Sequence, residues 1–297
     1  MQLAIKIDVD TDRGTRVGVP QLLSLFAKRD IKATFLFSLG PDNTGRAIKR
    51  ILRPGFLKKI RRTGVVGNYG LATLLNGVFW PGPNIAKRNA AIMRLTDALG
   101  HEVGIHCYDH IRWQDGLQHM SAEQVAKEFK KASDAFFQVF GFRAKTAGAA
   151  GWQANAYSLA AYDAAQLTYA SDVRGSGAFY PRVGSQIFST VQIAAALPTL
   201  DELLGLPEYP LHQLTKFYLS QLQPNQPNVL TIHAELEGMA YLDWFADLLG
   251  VLQAQGVEIV PLKKLASQIL AEPDKIPVRD MIQASLPGRS GLLACVQ

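Results

Sequence analysis

Short apolar runs alternate with longer amphipathic segments along the 297-residue chain. Runs of strand length occupy 3–8, 33–38, 102–106, 143–147, 168–171, 229–233 and 257–260. Between them, apolar residues recur at helical spacing over 19–29, 84–99, 122–140, 155–165, 241–255 and 262–270. The punctuation agrees: Ser121 stands at an N-cap position, and Gly141 follows Phe140 where a helix end favours glycine. This alternation predicts an α/β fold with mostly parallel strands, because a helix must carry the chain back before the next parallel strand. The length permits one domain over 1–297, elaborated at about 40–83 and 174–226, where the alternation breaks.

Composition changes this picture little. At 48% hydrophobic and 19% charged the chain is ordinary for a globular protein, and its two cysteines, Cys107 and Cys295, make no disulfide framework. The opening residues run straight into a strand pattern without the apolar core of a signal peptide, and no apolar stretch reaches membrane-spanning length. A cytoplasmic location is the default expectation. The net charge of +6 is concentrated: eight basic residues and no acid lie between Arg46 and Arg62. That run and the Trp80-ended apolar segment after it suit an anionic membrane surface. Nucleic-acid binding and a plain solvated helix face are the competing accounts of the charge.

The chemistry gathers at strand ends. Asp8, Asp10, His106, Asp172 and His233 all fall at or just past the C-terminal end of an expected strand, the edge where parallel α/β folds build their sites. Asp8 and Asp10, two apart, share one strand face. His106 and His110, four apart, share one face if the segment turns as a helix. Two imidazoles and one carboxylate make a three-ligand set for a divalent metal with positions left open, and the other carboxylate can serve as a general base. A hydrolase follows.

Longer strings sharpen this. Ile7-Asp8-Val9-Asp10-Thr11, Arg13-Gly14-Thr15-Arg16, Gly18-Val19-Pro20, Gly40-Pro41-Asp42-Asn43, His106-Cys107-Tyr108-Asp109-His110, Ala150-Gly151-Trp152, Thr231-Ile232-His233-Ala234-Glu235, Glu237-Gly238 and Pro287-Gly288-Arg289 occur in order from end to end. The set resembles the NodB-type polysaccharide deacetylases, metal-dependent amidases on a distorted (β/α) barrel. Within them it resembles a bacterial branch that removes formyl from 4-deoxy-4-formamido-L-arabinose carried on undecaprenyl phosphate. The resemblance implies a metal held by Asp10, His106 and His110, with Asp8 as general base and His233 as general acid. Zinc is the default ion for this set, with manganese or cobalt as alternatives. It also implies a place in lipid A modification and cationic-peptide resistance, and a protein seated peripherally on the cytoplasmic side of the inner membrane, with no nucleic-acid partner.

This chain departs from the family pattern in two places. Val9 separates aspartates that are usually adjacent, and Thr146-Ala147-Gly148 stands where the third motif usually carries an arginine that steadies the base. Arg174, two past Asp172, is the candidate for that charge. Arg13 and Arg16 are candidates to grip the substrate phosphate, since arginine meets phosphate oxygens bidentately. Trp152 is a candidate to stack on the sugar, against the commoner outcome of a buried tryptophan. Asp172 and Glu235 complete the substrate-binding or supporting candidates. Two rivals stand beside this reading: a cytoplasmic N-acetyl-sugar deacetylase of the same family, and a non-catalytic protein that binds lipid or nucleic acid.

Overall fold

The computed structural model describes residues 1–46, 76–77, 82–287, 289 and 291–297. Most of the basic and apolar insertion expected at about 40–83 lies outside the described residues. The first strand, β1 (Gln2–Val9), is buried on both faces, and its alternation sorts them. Leu3, Ile5, Ile7 and Val9 join the main apolar cluster with residues of the surrounding helices, while Ala4, Lys6 and Asp8 take the opposite face. The next strands, β2 (Thr34–Ser38) and β3 (Glu102–Cys107), repeat the pattern. Phe35, Phe37, Val103, Ile105 and Cys107 belong to the same cluster, which leaves His106 on the polar face with Asp8.

The sheet continues in parallel from β1 through β2 and β3 to β4 (Thr146–Ala147), β5 (Tyr169–Ala170) and β8 (Val191–Ile193). On its other side β1 pairs in parallel with β9 (Asn228–His233), and its first residues pair in parallel with β10 (Glu258–Val260) on the side that β2 takes further along. The Leu197 N–H donates to the Val229 carbonyl at 3.2 Å, so the segment after β8 returns to β9 and the sheet curls on itself. The result is a distorted barrel of mostly parallel strands. Outside it, β6 (Ala178–Val183) runs antiparallel to β8, pairs with the short β7 (Gln186–Ile187), and carries β11 (Val278–Ala284) and β12 (Leu293–Val296).

Helices α1 (Val19–Lys28), α2 (Ile85–Ala98), α4 (Ala122–Phe140), α5 (Ala156–Ala164), α8 (Leu242–Ala254) and α9 (Leu262–Leu270) match the expected amphipathic segments. A reciprocal Ser121–Gln124 capping box starts α4, and Gly141 ends it at φ 77°. Sequence periodicity missed α3 (His110–Gly116), α6 (Leu200–Leu203) and α7 (Leu211–Gln221), and also β6, β7, β8, β11 and β12. The first two helices are too short to show a period. Strand β11 is largely exposed on both faces, so no apolar alternation marks it. Among the described residues, no helix is long and apolar enough to cross a membrane.

Candidate active site and metal centre

Strand β1 ends at Val9, whose side chain is buried among the helices, so Asp8 and Asp10 project together at the strand's C-terminal edge. His106 comes from the end of β3 and His110 is the first residue of α3. The expected single helical turn carrying both histidines is therefore absent. A strand end followed by a helix start brings the two rings to the same place, 5.3 Å between centroids. Asp10 Oδ1 lies 3.2 Å from His106 Nε2, and Asp10 Oδ2 lies 3.5 Å from His110 Nε2. Asp10, His106 and His110 are also the three described residues whose ligand atoms cluster closely enough to share one ion.

Their chemistry fits a divalent cation. His106 Nδ1 sits 2.7 Å from the Gly148 carbonyl oxygen, which can only accept, so the proton lies on Nδ1 and the lone pair on Nε2. That lone pair faces Asp10 Oδ1, a buried oxygen with no donor. Two lone pairs held face to face away from water call for a positive charge between them, which a divalent ion or a proton on Nε2 supplies. Burial opposes charge on Asp10, yet His110 and His106 hold its carboxyl well below the usual range. Burial likewise favours a neutral His106 ring, but the Asp8 and Asp10 carboxylates outweigh it and raise its pKa.

Asp8 keeps different company. Its Oδ1 lies 3.7 Å from Lys6 Nζ and 3.8 Å from His106 Nδ1. Arg174, expected to supply the charge beside the base, instead pairs with Glu202 at 3.2 Å. The cation next to Asp8 is Lys6, which lies on the same strand face two residues earlier. Trp152 is corrected too: it is 3% exposed, with Lys6 Nζ 4.2 Å and the Arg174 guanidinium 5.1 Å from its ring, which leaves no face for a sugar. Its backbone sits at φ 58°, a left-handed conformation in the loop beside the site.

His233 ends β9 directly opposite Asp8, its register partner on β1, so base and acid candidates stand on neighbouring strands. Its Nδ1 lies 4.0 Å from Asp201 Oδ1 at the start of α6. Arg289 reaches this corner from the segment between β11 and β12, with Nε 2.8 Å from Glu202 and Nη1 3.4 Å from Asp201. Burial favours a neutral His233, while Asp201, then Asp10 and Asp8, raise its pKa overall.

Of the two roles open to Glu235, substrate binding or support, the structure shows the supporting contacts. Glu235 is 1% exposed, and its Oε1 accepts from the Asp10 and Thr11 backbone N–H groups and the Thr11 hydroxyl. Burial and the Asp10 carboxylate raise its pKa to about 8. Glu237, similarly buried, accepts from the His233 N–H at 2.9 Å. Each glutamate thus fixes the backbone of a site residue.

The sequence profile of the family described as Polysaccharide deacetylase matches residues 9–170, more than half of the chain. The chain belongs to the polysaccharide deacetylase family. It is 36% identical over 293 residues to the probable 4-deoxy-4-formamido-L-arabinose-phosphoundecaprenol deformylase ArnD of Shewanella sediminis (strain HAW-EB3), covering 99% of this chain and 94% of that one. It is 33% identical to the protein of the same name from Wigglesworthia glossinidia brevipalpis, covering 96% and 98%. Its fold is similar to that of a probable polysaccharide deacetylase from Pseudomonas aeruginosa PAO1, with a TM-score of 0.60 at 15% identity over 91% of each chain.

The family match ends before half of the site. Asp172, Arg174, Asp201, His233 and Arg289 all lie beyond residue 170. Asp172 is buried, accepting from the Ala149 N–H and from Gln192 Nε2 (2.9 Å); burial pushes its carboxyl up to about 6. It supports the loop whose Gly148 carbonyl orients His106. Arg16 is mostly exposed, 3.9 Å from Asp12, and Arg13 is half-buried in the same turn after β1. Asp109 caps α3 by accepting from the Arg112 N–H, and Cys107 packs in the core. Lys6 and Asp201 were missed in the sequence. Lys6 carried a signal, a lysine inside an otherwise apolar strand, whereas Asp201 carried none.

Proposed function

We propose that this protein is a metal-dependent amidohydrolase that removes formyl from 4-deoxy-4-formamido-L-arabinose linked to phosphoundecaprenol, a step of lipid A modification. The observation that carries the reading is the near-complete overlap with relatives named for that deformylation, together with the Asp10, His106 and His110 cluster between Asp8 and His233. Asp10, His106 and His110 would hold a divalent ion, zinc by default, which would supply Lewis-acid polarisation of the formamide carbonyl and of the attacking water. Asp8 takes the proton of the water as it attacks the formyl carbon. His233, whose pKa is raised by Asp201, delivers its proton to the sugar nitrogen as the C–N bond breaks, because an amine leaves poorly as an anion. The products are formate and the free aminosugar.

Arg13 and Arg16 stand in the turn after β1 as candidates for the substrate phosphate, and the basic run from Arg46 to Arg62 as the contact with an anionic inner-membrane surface on its cytoplasmic side. The reading is tested by formate release from a formamido-arabinose phospholipid, with chelator treatment and zinc, manganese or cobalt re-addition as controls. Metal-dependent formate release, abolished in Asp8→Ala and reduced in His233→Ala, is expected. Equal turnover of the N-acetyl sugar favours the deacetylase rival, and no turnover of either overturns the reading. Flotation with anionic liposomes at low salt tests the membrane contact; it fails if neutralising Lys58, Lys59, Arg61 and Arg62 leaves flotation unchanged.

A further inference from the structure

Lys6 is fully buried, on the face of β1 that also carries Asp8. An ammonium is strongly hydrated, and taking it out of water without paired charge is destabilising, so lysine is seldom found fully buried. A methionine would fill the same space without that cost. The surroundings are built for the charge: Nζ donates to the Ser171 carbonyl at 2.9 Å, lies 4.2 Å over the Trp152 ring, and stands 3.7 Å from Asp8 Oδ1. Gly148 clears the way, since a Cβ there would come within 3.3 Å of Lys6 Nζ and 2.4 Å of a Leu36 methyl. The residue whose carbonyl orients His106 therefore also admits Lys6.

The consequence falls on Asp8. A carboxylate has two oxygens, and Oδ1 is the buried one: it accepts no hydrogen bond, and the lysine ammonium, 3.7 Å away, meets it as an ion pair. Fixing one oxygen aims the other. We propose that Lys6 is a positioning residue for the hydrolysis, its buried ammonium anchoring one oxygen of Asp8 so that the second faces the attacking water. This rests on the reading of Asp8 as the base. The contact is set by the fold, since residues two apart on a strand share a face whatever the substrate does. Arg174, near the same tryptophan, is paired with Glu202 and does not compete for Asp8.

The test compares Lys6→Met, Lys6→Arg and Asp8→Asn in the full chain. In formate release, Lys6→Met is expected to lower kcat about 10- to 100-fold with KM within about threefold, the pattern of lost transition-state positioning. Lys6→Arg is expected to recover most of that loss. Zinc affinity, read by titration of the metal-free protein, is expected to stay within about threefold of wild type in both, because neither variant touches Asp10, His106 or His110. Thermal unfolding of the metal-free protein supplies a readout independent of turnover. Asp8→Asn strands a buried cation and lowers Tm, and adding Lys6→Met is expected to restore part of it. Lys6→Gln takes the same place in each comparison if Lys6→Met does not fold.

The proposal is overturned if Lys6→Met keeps kcat within threefold of wild type, if zinc affinity falls in parallel with kcat, or if the two Tm losses simply add. A wild-type protein that releases no formate sinks the parent reading instead. The unfolding cycle then still decides whether Lys6 and Asp8 act as a pair.

Discussion

Replacing Glu235 by alanine removes the acceptor that holds the loop bearing Asp10. One oxygen takes three hydrogen bonds, from the Asp10 N–H at 3.1 Å, the Thr11 N–H at 2.9 Å and the Thr11 hydroxyl at 2.7 Å. All three donors are buried and stay dry after the substitution, at about 1 kcal/mol each. The vacated space adds about 1–2 kcal/mol, because Gly14 already packs against this side chain and cannot fill it. A total of about 4–5 kcal/mol lowers Tm by about 6–8 °C in a chain of this size. Metal affinity is expected to fall about 10- to 100-fold, the usual consequence of loosening a group that orients a ligand. Thermal unfolding and zinc titration of Glu235→Ala and Glu235→Gln read both effects. Glutamine keeps the accepting oxygen, and its amide replaces Oε2, the oxygen with no partner. Burial and the Asp10 carboxylate raise the pKa of the glutamate toward its neutral form, so the Gln variant is expected to stay closer to wild type than the Ala variant. Equal damage from Gln and Ala would refute the argument, since Gln keeps the accepting oxygen that Ala lacks.

Asp201→Asn withdraws the largest of the charges that raise the pKa of His233, so the alkaline limb of the kcat/KM profile is expected to move to lower pH; an unmoved limb removes Asp201 from the acid's control. His101, buried with its Nδ1 accepting from the Ala33 N–H, is lowered by burial to about 4 from an ordinary 6.5. Its neutral ring therefore supports the fold above pH 6.5, and that support, at most about 3 kcal/mol, is lost as pH falls toward 4. Urea midpoints for wild type and His101→Gln between pH 7 and 4 check this, with the Gln variant expected to show the flatter curve. Gly18→Ala places a Cβ about 2.0 Å from the Ala234 carbonyl oxygen, beside His233; since both are backbone-bound, lower Tm and lower kcat are expected together, and an unaffected Tm contradicts the close approach.

Residue order alone carried the layered pattern and the candidate ligand set Asp10, His106 and His110. Apolar alternation marked seven strands because their helix-facing residues, such as Ile5, Ile7, Phe35 and Phe37, must bury. The same period placed Asp8 and His106 on the other face, at one edge. Elements without such a period stayed hidden: α6 is four residues long and β11 is mostly exposed, so neither leaves a hydrophobic signature. What only the tertiary structure decided is which charges meet. Arg174 and Lys6 are both cations near Trp152, and nothing in their spacing says that one pairs with Glu202 and the other with Asp8. Glu235 alternates with His233 as a cleft residue would, yet the turn after β9 folds it under the Asp10 loop. Asp201 and Arg289 are 88 positions apart, and nothing in that separation says that they meet beside His233. Side-chain period is a local property and can be read along the chain. Pairing of buried charges depends on which strands become neighbours, and that is settled only when the barrel closes.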